Sequence, residues 1–338
     1  MKKRVIGLSL FALVVAYIFV VGKLEAARIA APLESAAVAS GPAVDTARLV
    51  EDVRSLAAPA MKGRRTGTDG SKLAQAYITK RFEQIGLQPY GASYVMPFSF
   101  THTSLRALVG VGKSYKAKYP SAANLVGYIN GSAEPGRIMV VSAHYDHLGE
   151  CNGVMYPGAD DNASGVGAML AIAAYFKQHP PRNTIVFAAF DAEELGLKGA
   201  EAFVASLPFP RERLAMNLNL DMVSRNDNNE IWVAGVFHNP MLKDLVAAAA
   251  KRSALKVKIG HDKPLLFAGT VEDWTGSSDH GPFHAAGVPF LYFGVEDHAD
   301  YHQSTDVADK INPQFYSQVT SLLIDVAATA DLNLQMLK

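Results

Sequence analysis

The run NTIVFAAF at residues 183–190 is apolar at nearly every position. A half-exposed strand alternates apolar and polar residues, so an unbroken apolar run reads as a strand buried on both faces, the kind that parallel sheets hold beneath helices. One such strand obliges the chain to supply further strands beside it and helical layers above and below. The sequence does so in alternation. Strand-like runs occur at YVMPFSFT, ANLVGYI, GRIMVVSAH, residues 214–222, residues 230–234, residues 256–259 and VPFLYFG. Helical periodicity occupies residues 46–56 behind Asp45 as a cap, then SKLAQAYITKRFEQIG, residues 164–176, 197–206 and 240–253, a short piece near 279–286, and a long stretch from Pro313. In the second of these helices the spacing turns Leu73, Ala76, Tyr77, Phe82 and Ile85 inward. The expectation is an α/β fold: a single domain with a mixed, mostly parallel central sheet covered by helices on both faces.

The 338 residues suffice for one large domain of this kind, and no internal repeat or second domain is visible between residues 45 and 338. Lys+Arg and Asp+Glu are both 32, so no excess charge points to nucleic acid. Lys2, Lys3 and Arg4 precede an uncharged apolar run over residues 5–22, the layout of an export signal, cleaved near Ala26 or kept as a signal anchor. This predicts an exported protein, periplasmic or extracellular, with any membrane contact confined to that N-terminal segment. Residues 27–44 are rich in Ala, Ser and Pro and read as a linker. Cys151 is the sole cysteine, which forbids an intrachain disulfide and a thiolate-rich metal site.

The chemistry-bearing residues cluster where strands end. VVSAHYDHLG carries His144 and Asp146, PGADDNASG carries Asp160 and Asp161 just before a helix, FDAEELG carries Glu193 and Glu194, NLNLDMV carries Asp221, and DYHQSTD carries His302. Strand ends are where open α/β sheets keep their sites. Taken alone, Asp160-Asp161-Asn162 is an ordinary helix N-cap; five such segments together indicate a site in which His and carboxylates hold a cation. His280 and His284 also have helical spacing, but no Glu lies between them in an HExxH arrangement. His102, His179, His238 and His261 sit in loops or at strand ends with no acidic motif and read as solvated, while His298 is set aside in favour of its neighbour His302. Tyr301 is either a hydrogen-bond donor to a reacting oxygen or a packing residue. His147 is adjacent to Asp146 and stands as a further candidate ligand.

The ordered set AHYDH, PGADDNASG, DAEELGLKG, NLDM and DYHQSTD resembles that of the co-catalytic zinc aminopeptidases of clan MH, the secreted bacterial leucine-aminopeptidase type. The similarity runs from about Leu49, through KGRRTGTDGSKLAQAYITKRFEQIGLQP, to the C-terminal helix. The resemblance implies two zinc ions per chain, one held by His144 and Asp221, the other by Glu194 and His302, with Asp160 bridging them. It implies Glu193 as the general base acting on a water shared by the two ions, and Asp146 as the partner that orients His144. It also implies a cis peptide at Asp160–Asp161 and places Asp279 and His280 beside the substrate pocket. Peptides with a free N-terminus are the substrates it implies. Two alternatives share the fold: a single-zinc glutaminyl cyclase, and a non-catalytic relative, which would be expected to have lost ligands or base. Side-chain preference and oligomeric state are not legible.

Overall fold

A computed structural model describes residues 42–104, 115–132, 136–264 and 271–337. The export segment and most of the linker therefore lie outside the described residues. Among those described, no helix is long and apolar enough to cross a membrane.

The elements follow the expected alternation. Helix α1 (Thr46–Leu56) is capped by Asp45, whose side chain accepts from the Arg48 N–H. Helix α2 (Asp69–Ile85) starts at Thr68 and stops at Gly86, which takes the left-handed conformation that glycine tolerates. Strands β1 (Gln88–Pro89), β2 (Val95–Ser104), β3 (Tyr115–Ile129) and β4 (Ile138–His144) come next. A small hairpin, β5 (Gly149–Cys151) and β6 (Val154–Tyr156), occupies a stretch that reads from sequence as loops around Cys151. Then follow α3 (Gly165–Gln178), β7 (Thr184–Phe190), α4 (Lys198–Ala205), β8 (Leu214–Leu220), β9 (Glu230–Ala234), α5 (Lys243–Ala250), β10 (Lys256–Ile259), α6 (His280–Ala285), β11 (Phe290–Gly294) and α7 (Pro313–Asn333).

Among the described residues the main sheet runs β1-β3-β7-β4-β8-β11-β9-β10, with β2 paired to β3 outside this path. Its centre, β7-β4-β8-β11, is parallel throughout. Strands β4, β7 and β8 are buried at every position, as an unbroken apolar run requires. Successive side chains serve opposite layers. Ile138, Val140, Val186, Ala188 and Phe190 join Phe203 of α4 and Phe283 of α6 in one core. The alternate residues Met139, Val141, Ile185 and Phe187, all fully buried, face the other layer, where α3 packs on β4 and β7 and against α1 and α7. Each large side chain so buried contributes roughly 1.5–3 kcal/mol.

The sequence assigns the inward face of α2 to Leu73 and Ala76, and this is corrected: Leu73 is 47% exposed, and the buried stripe is Ala74, Ile78 and Phe82. Tyr77 lies at its margin because its hydroxyl reaches Asp52 at 2.7 Å, and Arg81 is drawn inward by the same carboxylate at 2.8 Å. The buried stripe keeps four-residue spacing one position on from Leu73, and the Asp52 contacts of Tyr77 and Arg81 flank it.

Helix α3 enters the sheet closely, and Gly165 makes this possible. A Cβ there would overlap Asn162 Oδ1 and the Leu220 carbonyl at the end of β8. Gly165→Ala should therefore destabilise the fold by about 1–3 kcal/mol in denaturant unfolding, the usual cost of overpacking. Gly136→Ala, where a Cβ meets nothing within 4 Å, should be close to neutral.

Candidate metal centre

Parallel packing brings the C-terminal ends of β4, β7, β8 and β11 to one edge of the sheet, and the acidic segments follow those ends. His144 is the last residue of β4, and Asp221 directly follows β8. Glu193 and Glu194 lie just past β7, where Ala192 takes φ 60°. That turn sends the two glutamates apart: Glu193 falls with His144 and Asp221, Glu194 with His147 and Asp161. His302 arrives on the long segment after β11.

Asp161 stands between these groups. Its Oδ1 lies 3.3 Å from His144 Nε2, and its Oδ2 lies 3.1 Å from His302 Nε2 and 3.6 Å from His147 Nδ1. On one side, His144 Nε2 is 3.2 Å from Asp221 Oδ1. On the other, Glu194 places Oε1 at 2.8 Å from His147 Nδ1 and Oε2 at 3.4 Å from His302 Nε2. The donor atoms of His144, Glu193 and Asp221 lie within 4.8 Å of one another, as do those of His147, Asp161 and Glu194. Imidazole nitrogens and carboxylate oxygens are the donors zinc accepts without thiolate. Glu194 Oε1 and both His147 nitrogens are buried with no hydrogen-bond partner among the described residues, and a cation at this point would satisfy Glu194 Oε1 and one of the two nitrogens. The residues present fit zinc.

The assignment of the bridge to Asp160 is corrected. Asp160 Oδ1 accepts from the Ser224 amide at 2.8 Å and the Ser224 hydroxyl at 2.7 Å, and Oδ2 meets His298 Nε2 at 3.1 Å. The backbone amides of Asp160 and Asp161 both donate to Asp306. Asp161 is in an extended conformation, φ −100° and ψ 98°, so adjacent side chains point to opposite sides and only one of the pair can face the imidazoles. The cis peptide is Asp161–Asn162, one residue beyond the Asp160–Asp161 bond expected.

Asp146 also acts differently from expectation. Its carboxylate is 3.7 Å from His144 Nδ1, and the atom nearest that nitrogen is the Asp146 backbone oxygen at 3.1 Å. The carboxylate instead accepts from the Glu193 amide at 3.1 Å and the Thr66 hydroxyl at 3.2 Å, so it fixes the backbone of the glutamate pair. Burial raises the proton affinity of Glu193 well above the ordinary range, reinforced by Glu194, Asp221 and Asp279 and opposed by His144. Burial acts on Asp161 in the same direction, yet His147, His144 and His302 together hold it well below the usual carboxylate range.

A pocket of about 110 Å³ opens onto Asp161, Glu193 and His302, walled by Trp274, Tyr292 and Tyr301. Tyr301 stacks on His302 with centroids 3.9 Å apart, and burial raises its pKa, so its hydroxyl keeps its proton. Asp279 and His280 sit behind this wall. His280 donates from Nε2 to the Trp274 carbonyl at 2.8 Å, and burial lowers its pKa to about 4. Asp279 is raised to about 7 by burial, with His144 opposing and Asp221 reinforcing. His261, read from sequence as solvated, is 7% exposed and lies flat on Trp274 at 3.6 Å. His298 is likewise engaged, with Asp160.

Sequence reasoning passed over Arg64, Ser224 and Asp306. Arg64 is fully buried and donates to the carbonyls of Tyr145 at 2.7 Å, Leu56 at 2.8 Å, Pro157 at 2.6 Å and Gly158 at 2.8 Å. It thereby ties the segment after His144 to the turn that carries Asp161. Burial lowers its pKa to about 10, while Asp161, Asp306, Asp146 and Glu194 pull the other way. Its only signal was its place in KGRRTGTDG, where a charged residue reads as exposed.

The sheet, its helical layers and the acidic strand ends have the fold of the zinc exopeptidases. A zinc aminopeptidase from Bacillus subtilis superimposes with TM-score 0.66 at 19% identity over 84% of this chain and 95% of that one. A glutaminyl cyclase from Bacteroides thetaiotaomicron gives 0.63 at 18% identity over 85% and 98%. The model of peptidase family M28 matches residues 124–327, more than half of the sequence, and the chain belongs to that family. Aminopeptidase YwaD of Bacillus subtilis is 30% identical over 227 residues, 66% of this chain and 41% of that protein. A probable zinc metalloprotease of Pyrenophora tritici-repentis is 26% identical over 288 residues, 75% and 63% respectively. The chain thus spans less than two thirds of these curated relatives.

Arg64→Met should cost about 3–5 kcal/mol in denaturant unfolding, the range for stripping one partner from a buried charged network. Arg64→Lys, which keeps the charge but not the planar fork, should recover only part of it.

Proposed function

We propose that the protein is a zinc-dependent aminopeptidase holding two ions, one on His144, Asp161 and Asp221, the other on Asp161, Glu194 and His302. The observation that carries this reading is that the two oxygens of Asp161 face two separate donor sets. A pair of bound ions would polarise the scissile carbonyl and acidify the attacking water.

The chain's own groups supply the remainder. Glu193 lines the pocket and accepts the proton of the attacking water, then returns it to the leaving amine. Asp146 holds the Glu193 amide and so aims that carboxyl. The Tyr301 hydroxyl donates to the substrate carbonyl oxygen. In this reading the N-terminal residue of the substrate enters the pocket of about 110 Å³ that Glu193 lines. Glutaminyl cyclase chemistry shares this fold, but no feature of the site favours it over hydrolysis, and a Gln-initiated peptide separates the two by product: free Gln, or ammonia with pyroglutamate.

Three variants test the reading on an aminoacyl-anilide panel with N-acetylated controls. Asp161→Ala should lose both tightly bound ions, whereas Asp160→Ala should retain more metal, because its carboxylate holds Ser224 and His298 rather than an ion. Glu193→Gln should keep both ions with kcat lower by roughly 10²–10⁴-fold and KM little changed. Turnover that survives chelation, or equal cleavage of acetylated substrates, would contradict the assignment.

A further inference from the structure

We propose that His147 is a metal ligand in its own right, joining Asp161, Glu194 and His302 through Nδ1, so that the two ions sit in unequal sites with two imidazoles at one and one at the other. The inference rests on the two-ion reading above and adds a ligand to it.

His147 is buried, and its ring makes ion-pair contacts with Glu194 and Asp161 but no hydrogen bond among the described residues. Nδ1 lies 2.8 Å from Glu194 Oε1, close enough for a hydrogen bond, yet neither atom makes one. The ring nitrogen is near the oxygen without pointing at it. A buried polar atom left without a partner is costly, and a bound cation removes that cost for the atoms it touches. Two donors bound to a common zinc, each about 2.0–2.2 Å from it at angles near 90–110°, stand roughly 2.8–3.6 Å apart and do not point at one another. The separations fall in that window: His147 to Glu194 at 2.8 Å, His147 to Asp161 at 3.6 Å, His302 to Asp161 at 3.1 Å and His302 to Glu194 at 3.4 Å; the donor atoms that all lie within 4.8 Å of one another are those of His147, Asp161 and Glu194, with His302 reaching the same two carboxylates.

The backbone also holds the ring in place. Gly158 has φ 60°, and a Cβ there would overlap the His147 ring and the Asp161 carbonyl. Glycine thus lets the imidazole lie flush against the turn that carries Asp161. Coordination through Nδ1 would fix the tautomer with its proton on Nε2.

The test uses the full chain loaded with two equivalents of zinc. X-ray absorption should count three imidazoles over two ions in the wild type and two in His147→Gln. Competition with a chromophoric chelator should show one of the two ions weakened by about 100-fold or more in that variant, above the usual effect of an outer partner, and the other little changed. His147→Cys offers a thiolate in the same place and should restore affinity while adding a sulfur shell at about 2.3 Å. Two imidazoles in the wild type with both ions bound, or a folded His147→Gln that keeps the wild-type count, would overturn this inference alone. A wild type that takes up no tightly held pair would overturn the two-ion reading and this inference with it. Circular dichroism checks the variants' fold, and if they fail to fold the wild-type imidazole count decides.

Discussion

Carboxylates confined to one buried space lose their hydration and repel one another, and both effects grow as the surroundings become less polar. The edge of this sheet concentrates such groups: Asp146, Asp161, Glu193, Glu194 and Asp221 lie within a few side-chain lengths, with Asp191 and Asp279 close behind. Imidazoles from His144 on one side of Asp161 and from His147 and His302 on the other are set among these carboxylates, and the buried Arg64 guanidinium adds a further positive charge nearby. Divalent ions between the imidazoles and carboxylates would remove the repulsion and satisfy atoms that the protein leaves without partners. The parallel sheet, the turn before α3 and the four-carbonyl grip of Arg64 all serve to hold this set of charges in register.

Beneath the cluster lies a layer that never touches an ion in this account yet sets its geometry. Asp160 is held by Ser224 and His298, which joins the turn to the segment carrying His302. Asp306 receives the amides of Asp160 and Asp161, and Asp146 receives that of Glu193. Each of these carboxylates positions backbone rather than metal. Acidic residues that look interchangeable in sequence thus divide into those that face the cluster and those that hold it in place.

Much of this division was not legible beforehand, for a physical reason. The central strands were, because burial on both faces imposes short unbroken apolar runs rich in β-branched and aromatic residues and bounded by turn residues. The site's location was, because acidic and His-bearing segments followed those runs. The choice within Asp160-Asp161 was not, since it depends on backbone dihedrals in the six-residue turn Ala159–Ser164, where the two adjacent side chains are identical. Arg64 escaped notice because its partners are carbonyls, one eight residues away at Leu56 and the others in two distant segments, and carbonyls carry no residue identity. The face of α2 was ambiguous because its apolar residues Leu73, Ala74, Ala76, Tyr77, Ile78 and Phe82 fit two neighbouring stripes, and packing buries the one through Ala74, Ile78 and Phe82.

The central claim is that Asp161 is shared by two ions held on either side of it. Anomalous diffraction at the zinc edge from crystals of the zinc-loaded protein tests this most directly. Two peaks are expected, one among His144, Asp221 and Asp161, the other among His302, Glu194 and Asp161. A single peak, or density bound to Asp160 with Asp161 turned away, would contradict it.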